Sequence, residues 1–212
     1  MSKTAISELD VVVTDAVSGR DTGLAKTIRR AIKALSTSRI PYCIIGAAAL
    51  AARGLPRMTR DLDLIVLSDD GDAAIAALRK AGFRTVAPPS YADQSDPMIV
   101  LVDPTNGVEV DVLIAAGNPE ALIISTAPRA RIFGAMAPVA TLEQLLLLYL
   151  YSNQPKHLGD FASIVQFRGV NLAEATRMLA EIHPEMLKLF RKRIKACQNI
   201  PAAPRKPRSN GR

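Results

Sequence analysis

Two short stretches of this chain carry carboxylates in a pattern that chemistry can use. In Arg57-Met-Thr59-Arg-Asp61-Leu-Asp63-Leu-Ile-Val66, Leu62, Leu64 and Val66 alternate with polar residues, the period of a strand with one face in a core. Asp61 and Asp63 then share the other face, with Arg57 and Thr59 before them. Asp is depleted in strands, and two on one face repel each other unless a cation lies between them. Val108-Glu109-Val110-Asp111-Val112 repeats the pattern, with Glu109 and Asp111 on one face and the valines on the other. If the two strands are neighbours, Asp111 joins Asp61 and Asp63. Three carboxylates on a sheet make a hard oxygen site suited to Mg²⁺, or to Mn²⁺. Two such ions about 3.5–4 Å apart can activate an attacking hydroxyl and stabilise a leaving pyrophosphate. Asp-x-Asp by itself is common and describes many half-exposed strands, so its weight comes from what surrounds it.

What surrounds it is a set of elements that can hold the acids in place. Thr22 to Ser36 has apolar residues at helical spacing, and Arg39-Ile-Pro41 ends that helix. Tyr42 to Ile45 reads as a buried strand. Ile45-Gly46-Ala47 turns it into a short Ala-rich helix, Ala47 to Ala52, where Gly allows close approach and free N–H groups face phosphate oxygens. Asp61 to Leu67 is the next strand. Ser68-Asp-Asp-Gly71 predicts a turn and N-cap for a helix over Asp72 to Ala81. Residues 85–97 predict a loop. Met98 to Val102 and Val108 to Ile114 predict a hairpin across Pro104-Thr-Asn106-Gly107. Ala121 to Ser125 predicts a short strand, and residues 126–140 hold another near Met136 to Val139. From Thr141 on the pattern is helical: Thr141 to Tyr151, Lys156 to Phe167, Asn171 to Ile182 and Pro184 to Lys195. A further helix is expected over 4–20. The expectation is an α/β (α+β) fold, with a small mixed sheet flanked by helices and followed by a C-terminal helical bundle. It divides into a core over 1–140, a helical region over 141–197 and a basic, disordered tail over 198–212.

Bulk properties set the limits. The chain has 212 residues, 49% of them hydrophobic, which supports a packed core and excludes global disorder. Aromatics are only 4%, so the core is built from Ala, Leu, Ile and Val. Cys43 and Cys197 form neither a disulfide framework nor a zinc pattern. The first ten residues lack an apolar core and carry acids, which argues against a secretory signal. No apolar run approaches the ~20 residues a bilayer span needs. The expected location is cytoplasmic, with no membrane partner. The net charge of +7 gathers in Arg191-Lys-Arg-Ile-Lys195 and Arg205-Lys-Pro-Arg208, which favours polyanions but equally describes a solvated helix end and tail. His157 and His183 have no partner at metal-ligand spacing and read as ordinary surface or satisfied histidines.

The segment from Ile44-Ile-Gly46-Ala-Ala-Ala49 through Arg57-Met-Thr59-Arg-Asp61-Leu-Asp63 resembles the first motif block of the polymerase-β-like nucleotidyltransferase superfamily. Within that superfamily it is most similar to the AbiEii/AbiGii toxin-like group. Leu145-Leu-Leu-Leu-Tyr149-Leu150 and Lys156-His-Leu-Gly-Asp160 are similar to that group's Leu-rich helix and its Lys…Asp helix. The resemblance implies metal-dependent transfer of a nucleoside monophosphate from an NTP to a hydroxyl of RNA, tRNA or a small molecule. It implies Asp61, Asp63 and Asp111 as metal ligands, with Lys156 beside them in catalysis. Gly46, Ala47, Arg57, Thr59 and Asp160 would bind the nucleotide. Lys156 and Asp160, at i and i+4, share a helix face, so the acid can orient the lysine. A toxin role would imply an antitoxin protein as partner. Ala47 stands where relatives often have Gly or Ser, and Tyr149 where many have Lys. Both favour the alternative, a catalytically inactive module of the same fold that binds a partner or RNA.

Overall fold

The computed structural model describes residues 22–86 and 98–198. The expected N-terminal helix over 4–20, most of the 85–97 loop and the tail past 199 lie outside those residues. Helix α1 (Gly23–Thr37) is capped by Thr22, whose hydroxyl accepts from Ala25 N at 3.3 Å, and it buries Leu24, Ile28, Ala31, Ile32 and Leu35. Strand β1 (Cys43–Ile44) passes through the Gly46 turn into α2 (Gly46–Ala52). Then follow β2 (Asp61–Leu67), α3 (Ser68–Lys80), β3 (Arg84–Thr85), β4 (Met98–Val102), β5 (Glu109–Ala115) and α4 (Asn118–Thr126). A hairpin, β6 (Arg129–Ile132) and β7 (Ala135–Pro138), leads to α5 (Leu142–Leu150), α6 (Pro155–Gln166) and α7 (Leu172–Ile182). A 3₁₀ turn over Pro184–Met186 precedes α8 (Leu187–Gln198).

The main sheet is mixed, in the order β1-β2-β5-β4-β3. Among the paired strands of this sheet in the described residues, β2 and β5 run parallel and the other pairs are antiparallel. Leu62, Leu64 and Val66 of β2 and Val110 and Val112 of β5 are buried, as the alternation requires. The expected α/β class, the mixed sheet and the 98–114 hairpin are all present, the last as an antiparallel pair with Val100 opposite Asp111.

Four expectations need correction. Ser68 to Gly71 is the first turn of α3 rather than a turn before it. Asp69 and Asp70 favour the positive end of that helix, and Gly71 serves packing: a Cβ there would lie 3.2 Å from Ile114 of β5. Ala121 to Ser125 is helical, not a strand, because Asn118-Pro119 starts a helix with Pro in its first turn. The Ser125 and Thr126 hydroxyls bond back to Ala121 O and Leu122 O at 2.8 and 2.6 Å. Thr85, taken as loop, lies in β3 opposite Leu101. The strand expected near Met136 to Val139 exists, but its partner β6 was not foreseen: the hairpin turns on Phe133 (φ 44°) and Gly134 (φ 84°), and Phe gives no turn signal.

Helix α5 opens on a capping box. Thr141 accepts from Gln144 N at 3.2 Å, and Gln144 Oε1 accepts from Thr141 N at 2.9 Å. Gln144 Nε2 also donates to Thr126 Oγ1 at 2.9 Å, tying α4 to α5. Just past the end of β4, Asp103, buried between α1 and the 103–107 turn, accepts from Thr27 Oγ1 (2.7 Å), Thr105 N (3.0 Å) and Thr105 Oγ1 (2.6 Å). It also pairs with Arg30 at 3.0 Å. Asp103→Ala strands those donors at once, so it is expected to cost about 2–4 kcal/mol in urea unfolding.

Candidate active site

The parallel register of β2 and β5 sets Asp63 directly opposite Asp111, and Asp61 opposite Glu109. Residues opposite each other share a face, so three aspartates converge. One carboxylate oxygen from each of Asp61, Asp63 and Asp111 lies within 4.8 Å of the other two. All three side chains are half-buried. Thr59 Oγ1 donates a short hydrogen bond to Asp61 Oδ1, which fixes that carboxylate's orientation. Asp111 Oδ1 is shut off from solvent and has no hydrogen-bond partner. Burial and then the Asp61 charge push the Asp63 carboxyl up to about 6. Burial, then Asp63, Asp61 and Glu109 push that of Asp111 up to about 7. Half-buried acids held this close, with one oxygen shut off and unsatisfied, are costly without a cation and suit one well: a donor set made only of carboxylate oxygens fits Mg²⁺ or Mn²⁺.

The Gly46–Ala47 turn is built around Asp63. Ile45 N donates to the Asp63 carbonyl at 3.1 Å, and the Ala47 N–H hydrogen-bonds the Asp63 carboxylate. Gly46 has φ 63°, in the left-handed region, and a Cβ there would overlap Asp63 Oδ2 and stand 2.6 Å from Cγ. The Ala47 side chain is buried in the protein. Gly46→Ala is therefore expected to lower stability by about 1–3 kcal/mol, from backbone strain and a displaced Asp63. It should also abolish any rise in melting temperature on adding MgCl₂; a full Mg²⁺ response in this variant would break the link between the turn and the acids.

The helical region closes the other side. Arg57, in the loop before β2, places Nε 2.9 Å from Asp160 Oδ1 and 3.0 Å from Oδ2, and its Nη1 donates to Met58 O at 3.1 Å. Its partner is therefore Asp160 of α6, and no ion pair joins it to Asp61 or Asp63 among the described contacts. Asp160 is 6% exposed, and its bonded partner is this arginine rather than Lys156. Lys156 is exposed on the first turn of α6, and its positive charge bears on Asp63, Asp111 and Asp160. His157 stacks on Tyr149 with ring centroids 4.9 Å apart, and its Nδ1 lies 2.7 Å from Ser152 Oγ. Burial, then Lys156 and Arg57 lower its pKa to about 4, which keeps it neutral.

Tyr149 and His157 border this cluster, though neither was among the expected functional residues. The available signal was Tyr149 itself, the one polar side chain in Leu145 to Leu150. Among the described residues no helix is long and apolar enough to cross a membrane.

No protein-family model matches the chain. No curated protein matches it either. Solved structures do. The solution structure of the antibiotic-resistance factor ANT(2'')-Ia is 17% identical, covers 84% of this chain and 94% of its own, and superposes with a TM-score of 0.52. The crystal structure of ANT(2'')-Ia in complex with adenylyl-2''-tobramycin is 17% identical, with 82% and 98% covered and a TM-score of 0.51. The lincosamide antibiotic adenylyltransferase LnuA, bound to lincomycin, is 13% identical, with 66% and 96% covered and a TM-score of 0.45. At such identities the likeness to ANT(2'')-Ia is one of architecture, and this chain has a nucleotidyltransferase-type fold.

Proposed function

We propose that the protein is a nucleotidyltransferase moving a nucleoside monophosphate from an NTP to a hydroxyl acceptor. The observation that carries this reading is the convergence of Asp61, Asp63 and Asp111 around a buried, unpartnered carboxylate oxygen. Mg²⁺ held by these three acids would supply the charge that offsets the triphosphate and makes the acceptor hydroxyl more acidic. Asp111 receives the acceptor proton as the hydroxyl oxygen attacks the α-phosphorus. The bond from that phosphorus to the β-phosphate oxygen breaks, and pyrophosphate leaves. Lys156 and Arg57 neutralise phosphate charge. Thr59 holds Asp61, while Gly46 and Ala47 hold Asp63, so their part is to aim the ligands.

Two observations bear on the acceptor. A small hydroxylated molecule is supported by the fold-level likeness to a factor solved with adenylyl-2''-tobramycin, over nearly that protein's whole length. RNA, including tRNA, is supported by α8, where Lys188, Arg191, Lys192 and Lys195 recur at i, i+3, i+4 and i+7 and all are exposed. The motif order of the AbiEii/AbiGii group favours that second reading, in which the chain is a toxin and an antitoxin its partner.

The test is incubation with each α-labelled NTP and MgCl₂, against total RNA and against a panel of aminoglycosides, with Asp63→Ala as control. Transfer that the control lacks supports the enzyme. No transfer to either acceptor, together with no Mg²⁺-dependent NTP binding, leaves the fold as a binding module.

A further inference from the structure

In α8, Lys188, Arg191, Lys192 and Lys195 are exposed, but Arg193 is partly covered. Phe190 marks the covered face. It is buried, and it meets Phe161 of α6 edge to face with ring centroids 6.0 Å apart. Arg193 stands at i+3 from Phe190, on the same side of α8. From there its Nη1 donates to the carbonyls of Tyr149 and Ser152, both at 3.2 Å, and its Nη2 to Asn153 Oδ1 at 3.0 Å. These acceptors lie at the end of α5 and in the loop that leads to α6. The last turn of α5 carries no basic side chain of its own, so Arg193 also supplies the cation that a helix C-terminus favours.

That loop is the base of the turn that carries Lys156. Ser152 Oγ accepts from Gln154 N at 3.2 Å and lies 2.7 Å from His157 Nδ1. His157 N donates to Gln154 O at 3.0 Å, and the imidazole stacks on Tyr149. Lys156 stands within this bonded turn, and its charge bears on Asp63 and Asp111. A run of hydrogen bonds thus joins α8 to the first turn of α6. A planar guanidinium reaches three separate oxygens in a fixed fork, which a lysine's compact ammonium does not reproduce.

The geometry points to Arg193 as a positioning residue for the phosphate site: by holding residues 149–153 from α8, it sets where the Lys156 turn stands against the three aspartates. That Lys156 meets phosphate rests on the nucleotidyltransferase reading above. That Arg193 sets the turn rests only on its bonds to residues 149–153.

The chain has two histidines, His157 and His183, so NMR of the imidazoles reads the turn directly, with His157→Gln to assign the signals. Burial, then Lys156 and Arg57 hold His157 near 4 in the wild type. Arg193→Lys keeps the charge and loses the fork. Its melting temperature is expected to stay within about 3 °C of wild type. Its His157 midpoint should move up towards the ordinary value of about 6.5, and Arg193→Met should move it further. An unmoved His157 midpoint overturns the proposal. Binding of inorganic tripolyphosphate with MgCl₂ to the full chain tests the route through Lys156. Arg193→Lys should weaken it about fivefold, but less than about twofold in a Lys156→Met background. Undiminished affinity in Arg193→Lys, or the same fivefold loss without the lysine, also overturns the proposal. A wild-type protein that binds no tripolyphosphate sinks the phosphate site and the reading it rests on, while the histidine titration still decides whether Arg193 sets the turn.

Discussion

Asp63→Asn is expected to raise the melting temperature of the metal-free protein at pH 7.5 and to cut nucleotide transfer by about 10³-fold or more. The two effects have one cause. Asp63 is opposite Asp111 in the sheet and close to Asp61, under the Gly46 turn. Removing its charge relieves repulsion that the folded chain alone must bear, and leaves the amide able to accept from Ala47 N. The same change takes one anionic ligand from the cluster. Calorimetry and a labelled-NTP assay on a single preparation read both effects. A variant less stable than wild type would mean that the acids are compensated within the protein, and the argument for a cation would lose its footing. A variant that keeps its activity would place the chemistry elsewhere.

Magnesium is expected to raise the melting temperature strongly at pH 8 and hardly at all at pH 5. Asp63 and Asp111 titrate near 6 and 7 when folded, against about 4 for an unfolded aspartate. Between pH 4 and 7 the folded chain therefore holds protons that the unfolded chain has released, and these two groups make stability fall as pH rises through that window. His157 acts in the opposite sense. Its folded pKa near 4 lies below the usual 6.5, so its contribution is lost as pH falls from about 6.5 towards 4. The informative quantity is thus the Mg²⁺-induced shift at each pH, which follows the ionised carboxylates and cancels the histidine. Equal shifts at pH 5 and pH 8 would rule out the cluster as the binding site.

The acids were legible because alternation is a local signal. Leu62, Leu64 and Val66 had to face the core, which sent Asp61 and Asp63 together to the other side. That Asp111 stands beside them could be posed only as a condition. The pairing joins strands some fifty residues apart, and no local pattern reports it. Arg57 shows the same limit more sharply. Asp61 and Asp63 are the acids near it in sequence, but its partner Asp160 lies on a helix over a hundred residues on. Ser68 to Gly71 and Ala121 to Ser125 failed for a different reason. Gly71 and the β-branched Ile123, Ile124 and Thr126 carry propensities that packing and the Asn118-Pro119 start override. Tyr149 was visible as a departure from relatives, but its burial and its stacking on His157 exist only once α5 and α6 are packed.

The β2–β5 pairing also bears on the order of events in folding. Its two strands enclose α3, β3 and β4 in the chain, so their ends meet only after a long loop has closed. The repulsion among the three acids has no counterpart in the hairpin of β4 and β5, which forms locally with Asp111 as its only member of the trio. It is switched on when β2 arrives beside β5. A divalent cation that relieves it acts on contacts made at that late step. Its expected kinetic signature is a slower unfolding limb, with the refolding limb much less changed.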